Sequence, residues 1–132
     1  MPVSDEAANW LHEAKADLKH ARDSIGLLSY NWACFAAHQA AEKALRAVLL
    51  HLGGARIRGH DLVKLYRAIP KEHRFPVDLS RLARLSSYFV SALQPSEGLE
   101  RPSEEFSEEL AREAVELAEL IVREAEKLLR DP

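Results

Sequence analysis

Apolar side chains recur at three- and four-residue steps through most of the chain, the spacing that puts them on one face of an α-helix. The central case runs from Asn31 to His51, where Trp32, Phe35, Ala36, Ala40, Ala44, Ala47 and Val48 continue into Leu52. Ala33, Ala37 and Ala41 leave little bulk around the rest of that helix, so neighbouring helices can approach it closely on more than one side. The pattern predicts a central helix, with Phe35, Ala40, Ala44 and Val48 buried in the middle of the molecule.

Four other segments look built to cover it. Ser4 or Asp5 caps a first helix with the stripe Ala7, Trp10, Leu11, Ala14, Leu18, Ala21, Ile25 and Leu28. Gly26 and Ser29-Tyr30-Asn31 allow a tight turn into the central helix, which makes the pair an antiparallel hairpin. Gly53-Gly54 closes the central helix in a left-handed conformation. A short helix opens at Gly59-His60-Asp61-Leu62 and ends at Pro70, and another begins near Asp78 with Leu79, Leu82, Leu85, Tyr88 and Phe89 as its stripe. Pro95, Gly98 and Pro102 make 94–102 a loop. The last helix starts at Ser103 or Ser107 and carries Leu110, Ala114, Leu117, Ile121, Val122 and Ala125 opposite an acidic face. The expected fold class is all-α, an antiparallel up-and-down bundle of about five helices forming a single domain over 1–132.

Composition adds limits. At 132 residues the chain has the size of one domain, and Ala, Leu, Glu and Arg dominate it. No apolar run approaches the ~20 residues that cross a bilayer, and the first residues lack the basic-then-apolar pattern of a leader, so a cytoplasmic protein with no membrane contact is expected. Cys34, the only cysteine, sits among apolar neighbours and reads as packing. The net charge of −3 argues against a dedicated polyanion binder, but the charges are unevenly spread. Residues 43–84 hold ten basic and three acidic groups, against five and ten in 101–132.

That asymmetry selects the candidate site. On the central helix His38, Gln39, Glu42, Lys43 and Arg46 are the polar side chains, with His38–Glu42 and Glu42–Arg46 at i,i+4. Arg56 and Arg58 follow in the loop, and His60 and Asp61 stand at the next helix start. Such a start attracts anions through its unpaired amides, so these residues could receive a phosphate. The competing explanation is an ordinary cap, with Asp61 serving the first turn. If a phosphate surface exists, Lys43, Arg46, Arg56, Arg58, His60 and Asp61 converge in a shallow positive groove, with His38, Gln39 and Glu42 as a polar cluster beside it. His38 and Glu42 are spaced for a metal, but no third ligand is apparent, and neither a metal nor another cofactor is expected.

The segments AAHQAAEKALRAVLLHLG and GHDLVKLYRAI, together with the Trp10 helix and the Ala-, Glu- and Leu-rich last helix, resemble the HEPN domain (higher eukaryotes and prokaryotes nucleotide-binding). The resemblance covers nearly the whole chain. It implies a helical bundle, frequent homodimers, and a common pairing with a small nucleotidyltransferase protein, a toxin–antitoxin-like arrangement in which some relatives are metal-independent ribonucleases. Those ribonucleases place an Arg and a His a few residues apart near the start of a late helix, a pair suited to moving the 2′-hydroxyl proton and steadying the phosphorane. This chain has no such pair there, and where the noncatalytic branch reads Arg-Tyr-Pro-Asp it has Leu93-Gln94-Pro95-Ser96. Arg67 and His73 have a matching spacing but are separated by Pro70. The reading favours a non-enzymatic module that binds a nucleotide, RNA or a nucleotidyltransferase partner. A ribonuclease with an unrecognised pair and a purely dimeric scaffold stay open beside it. With Trp10, Tyr30, Trp32, Tyr88 and Phe106 in a chain of this size, more apolar surface is expected than one bundle can cover, and hence a homodimer.

Overall fold

The computed structural model describes residues 4–54 and 56–130. Six α-helices form among them: α1 (Asp5–Gly26), α2 (Tyr30–His51), α3 (Leu62–Arg67), α4 (Leu79–Ser91), α5 (Pro102–Glu105) and α6 (Glu108–Arg130). The described residues contain no strand, only a single bridge between Ser96 and Leu99 in the loop before α5. The all-α bundle expected from the periodicity is what forms.

Side-chain caps set several of the boundaries. Ser4 Oγ accepts from the Ala7 amide at 3.1 Å, and Asp5 and Glu6 fill the first turn of α1. Asp78 Oδ1 accepts from Ser80 and Arg81 at the start of α4, and Ser107 Oγ from Leu110 at the start of α6. Ser103 and Ser107, the two alternative starts for the last helix, belong to two elements, because the chain turns extended at Phe106. Gly53, with φ +73°, ends α2 as expected, the Gly54 amide reaching back to the Leu49 carbonyl at 2.8 Å.

The first hairpin turns later than expected. Gly26 stays helical, and the left-handed residue is Leu28 at φ +61°, with the Ser29 amide on the Ser24 carbonyl at 2.9 Å. The hydrogen bonds of this motif require a left-handed residue two positions after Gly26, so a leucine occupies the place a glycine would fill with less strain.

α2 packs on every other helix. Ala36, Ala37, Ala40, Ala41, Ala44 and Ala47 are all buried, so the alanines let α1 and α6 lie close on one side. Lys15–Glu126 and Arg22–Glu119 ion pairs run α6 antiparallel to α1. The Asn31 side-chain amide donates to the Ala92 carbonyl at 3.1 Å, tying the start of α2 to the end of the antiparallel α4. A strip of α2 between α1 and α4 is left uncovered, and Trp32, Phe35 and Gln39 fall on it at i, i+3 and i+7. Phe35 is therefore half-buried and Trp32 is 49% exposed, a departure from the expected central position of Phe35; Ala40, Ala44 and Val48 are fully buried as expected.

Candidate functional site

The polar residues of α2 divide by the face they occupy. Lys43 lies toward α1 and pairs with Asp17 at 2.7 Å. His38, Glu42 and Arg46 lie toward the loop that leads into α3. Glu42 is only 7% exposed, and a buried carboxylate needs partners. It has two: Oε2 accepts from Arg46 Nε at 3.1 Å, and Oε1 lies 2.9 Å from His60 Nδ1.

Arg46 in turn clamps the loop. Its Nη1 donates to the Ile57 carbonyl at 2.6 Å and its Nη2 to the Gly59 carbonyl at 2.5 Å. His38, fully buried, contributes a third tether, with Nε2 3.1 Å from the His60 carbonyl. A carbonyl accepts only, so Nε2 carries the proton. Burial holds the His38 pKa below its ordinary value, against weaker upward pulls from the His60 carbonyl, Gln39 and Glu42. The ring is then neutral; Gln39 Oε1 is the atom placed 3.1 Å from Nδ1, and an unprotonated Nδ1 calls for that amide in the flipped orientation, with its NH₂ toward the ring.

These tethers deliver His60 to a defined place. Its ring stacks on Phe89 of α4 with centroids 3.7 Å apart and planes 13° from parallel. Phe35 stands 6.1 Å from Phe89, and Trp32 meets Phe35 edge-on at 6.3 Å, so His60, Phe89, Phe35 and Trp32 make an aromatic row that runs from α4 onto the open strip of α2. The His60 side chain is 48% exposed. In the sequence Phe89 is visible only as part of the α4 stripe, and one histidine and one phenylalanine do not announce a stack across 29 residues.

The expected positive groove is not assembled as a unit. Asp61 Oδ1 accepts from the Val63 and Lys64 amides at 3.0 and 3.2 Å, and the Leu62 amide donates to Ser86 Oγ at 3.0 Å, so the amides at the start of α3 are already satisfied. Arg56 pairs with Glu6 through Nη2 at 2.8 Å. Arg74 donates to the Ile69 and Arg67 carbonyls, Arg81 pairs with Asp78, and Arg84 with Glu113. Of the basic residues in 43–84, Arg58, Lys64, Arg67 and Lys71 are exposed and have no ion pair among the described residues. Arg58 is in the loop before α3, Lys64 and Arg67 are on α3, and Lys71 is in the turn that follows it.

Other reactive groups are sealed. Burial pushes the Cys34 thiol up to about 12, so it stays protonated and inert. Tyr88 is likewise pushed up to about 12 by burial. No cluster of three or more potential metal ligands occurs among the described residues. Nor is any described helix long and apolar enough to cross a membrane.

The HEPN domain profile matches residues 7–128. The chain belongs to the HEPN domain family. Among solved structures it is similar to TT1696 from Thermus thermophilus, at 33% identity and TM-score 0.84 over 96% of this chain and 100% of that one. ST0689, an archaeal HEPN homologue, is 25% identical with TM-score 0.74, over 96% and 99%. The HEPN domain protein tm0613 of Thermotoga maritima is 29% identical with TM-score 0.69, over 94% and 99%. No curated protein matches. Against the family pattern, this HEPN chain has no histidine after His73, so no Arg–His pair can stand in α4, α5 or α6.

Proposed function

We propose that this HEPN domain is a non-catalytic module that binds a nucleotide or single-stranded RNA along the aromatic row that runs from α4 onto the open strip of α2. The observation that carries the reading is the His60 ring, stacked on Phe89 and half exposed. One ring face rests on Phe89, which leaves the other for a base. Aromatic platforms of this kind contribute roughly 1–3 kcal/mol per stacked base without selecting its identity. Arg58, Lys64, Arg67 and Lys71 supply the cationic edge that a phosphate backbone would follow. Arg46, Glu42 and His38 act behind them, as the residues that hold the platform in position.

The test is a titration of fluorescent single-stranded RNA and of labelled nucleotide at two salt concentrations. Binding should weaken with salt, by ~0.7 in log affinity per phosphate contact for each decade. His60→Ala should weaken every sequence alike, Arg58→Ala should reduce the salt slope, and the RNA should stay intact. Binding indifferent to salt and to both substitutions would sink the proposal. Cutting abolished by His60→Ala or His73→Ala would replace it with the ribonuclease reading. A small nucleotidyltransferase protein as partner rests on the resemblance, and a neighbouring reading frame for one would support it.

A homodimer is favoured by a second observation. Leu27, Leu28, Trp32 and Val90 are large, exposed and apolar, and they gather at the end of the bundle where α1 turns into α2 and α4 finishes. An apolar group of this kind is suited to a second copy.

A further inference from the structure

At the opposite end of α2 lies a cavity of about 160 Å³ that the proposed nucleotide surface does not use. Trp10 of α1, Leu49 and Leu50 of α2 and Ile57 of the loop form its apolar walls, and Arg46 and Arg56 complete its lining. Trp10, Leu50 and Ile57 are only half-buried, so the opening exposes apolar surface that a ligand would cover.

The two arginines differ. Arg46 is committed to Glu42 and to the Ile57 and Gly59 carbonyls, which makes it a fixed wall. Arg56 is 69% exposed and touches both oxygens of Glu6 through Nη2 alone. Its Nε and Nη1 protons have no partner among the described residues. An exposed pair of this kind is worth little, on the order of 0–1 kcal/mol, and exchanges readily. A guanidinium with free donors in a planar fork matches a carboxylate.

Size limits the part of the ligand that enters. A space of this volume accepts about one six-membered ring, and an indole wall favours an aromatic one. We infer that the cavity binds a small aromatic carboxylate, its ring against Trp10 and Leu50 and its carboxylate taken by the free Nε and Nη1 donors of Arg56, beside Glu6 on Nη2. Glu6 is then a like-charged neighbour, which gives the inference a sign that a merely apolar hole would not have.

The experiment uses phenylacetate and its neutral amide, phenylacetamide, against ¹⁵N-labelled full-length protein. The two indole resonances, assigned by the loss of one in Trp10→Phe, report the cavity and, through Trp32, a distant control. Phenylacetate should move the Trp10 indole saturably and leave that of Trp32 in place, while phenylacetamide binds several-fold more weakly. Arg56→Gln should lower phenylacetate affinity roughly tenfold, the scale of a lost charged hydrogen bond, and Glu6→Gln should raise it. Both substitutions lie on the surface, so the fold survives them. No saturable change at Trp10, equal binding of acid and amide, or unchanged affinity in either variant would overturn the inference. None of these outcomes touches the RNA titration.

Discussion

The buried ring of His38 and the backbone of His60 are joined across 22 residues, Nε2 lying 3.1 Å from the carbonyl. The contact needs His38 neutral with its proton on Nε2, in a site where burial already disfavours charge. One histidine therefore positions another, and the place of His60 depends on His38 staying neutral.

That dependence has a definite sign. His38 has a folded pKa below its unfolded one, so below about pH 6.5 the unfolded chain takes up a proton the folded chain refuses. Stability should be intact above that pH and fall as pH drops through it toward the folded value. Urea unfolding at about pH 7.5, 6.5 and 5.5 checks this, with His38→Gln, which cannot titrate, showing a flatter profile. Parallel profiles for the two proteins would mean that His38 is not the group responsible.

Asp61 should matter for stability through its cap. Removing the carboxylate in Asp61→Ala leaves the Val63 and Lys64 amides without their acceptor and should cost about 1 kcal/mol, with Asp61→Asn nearer to wild type. If α3 instead offers its amides to phosphate, Asp61→Ala will cost nothing and will tighten phosphate binding. Denaturant midpoints with and without inorganic phosphate separate the two.

Leu28 couples strain to association. A non-glycine residue at φ +61° is disfavoured by about 1–2 kcal/mol, and this one is also exposed at the apolar end of the bundle. Leu28→Gly should therefore stabilise the isolated chain while weakening the homodimer. Light scattering at micromolar concentration should find wild type at twice 14.9 kDa and the variant shifted toward the single mass. A wild-type protein that runs only as a monomer ends the dimer proposal.

Much of the fold was legible because it depends on local rules. The three- and four-residue spacing, Ser4, Asp78 and Ser107 as caps, and Gly53 at the end of α2 act within a few residues of themselves, so a reader of the chain can place α1, α2, α4 and α6. Sequence also singled out His38, Gln39, Glu42, Lys43 and Arg46 as the polar side chains of an otherwise apolar central helix, and His60 at the start of the next one.

What it left undecided was which of them meet. His38, Glu42 and Arg46 join the loop of His60, whereas Lys43, one residue from Glu42, turns to Asp17 on α1 and Arg56 crosses to Glu6. A helix advances about 100° per residue, so adjacent charges face different neighbours, and only the arrangement of α1, α3 and α4 around α2 says which neighbour each one finds. The same arrangement leaves Trp32 and Phe35 on an open strip and brings Phe89 under His60. Periodicity records that a side is apolar; whether another helix covers that side is decided by the packing of the whole chain.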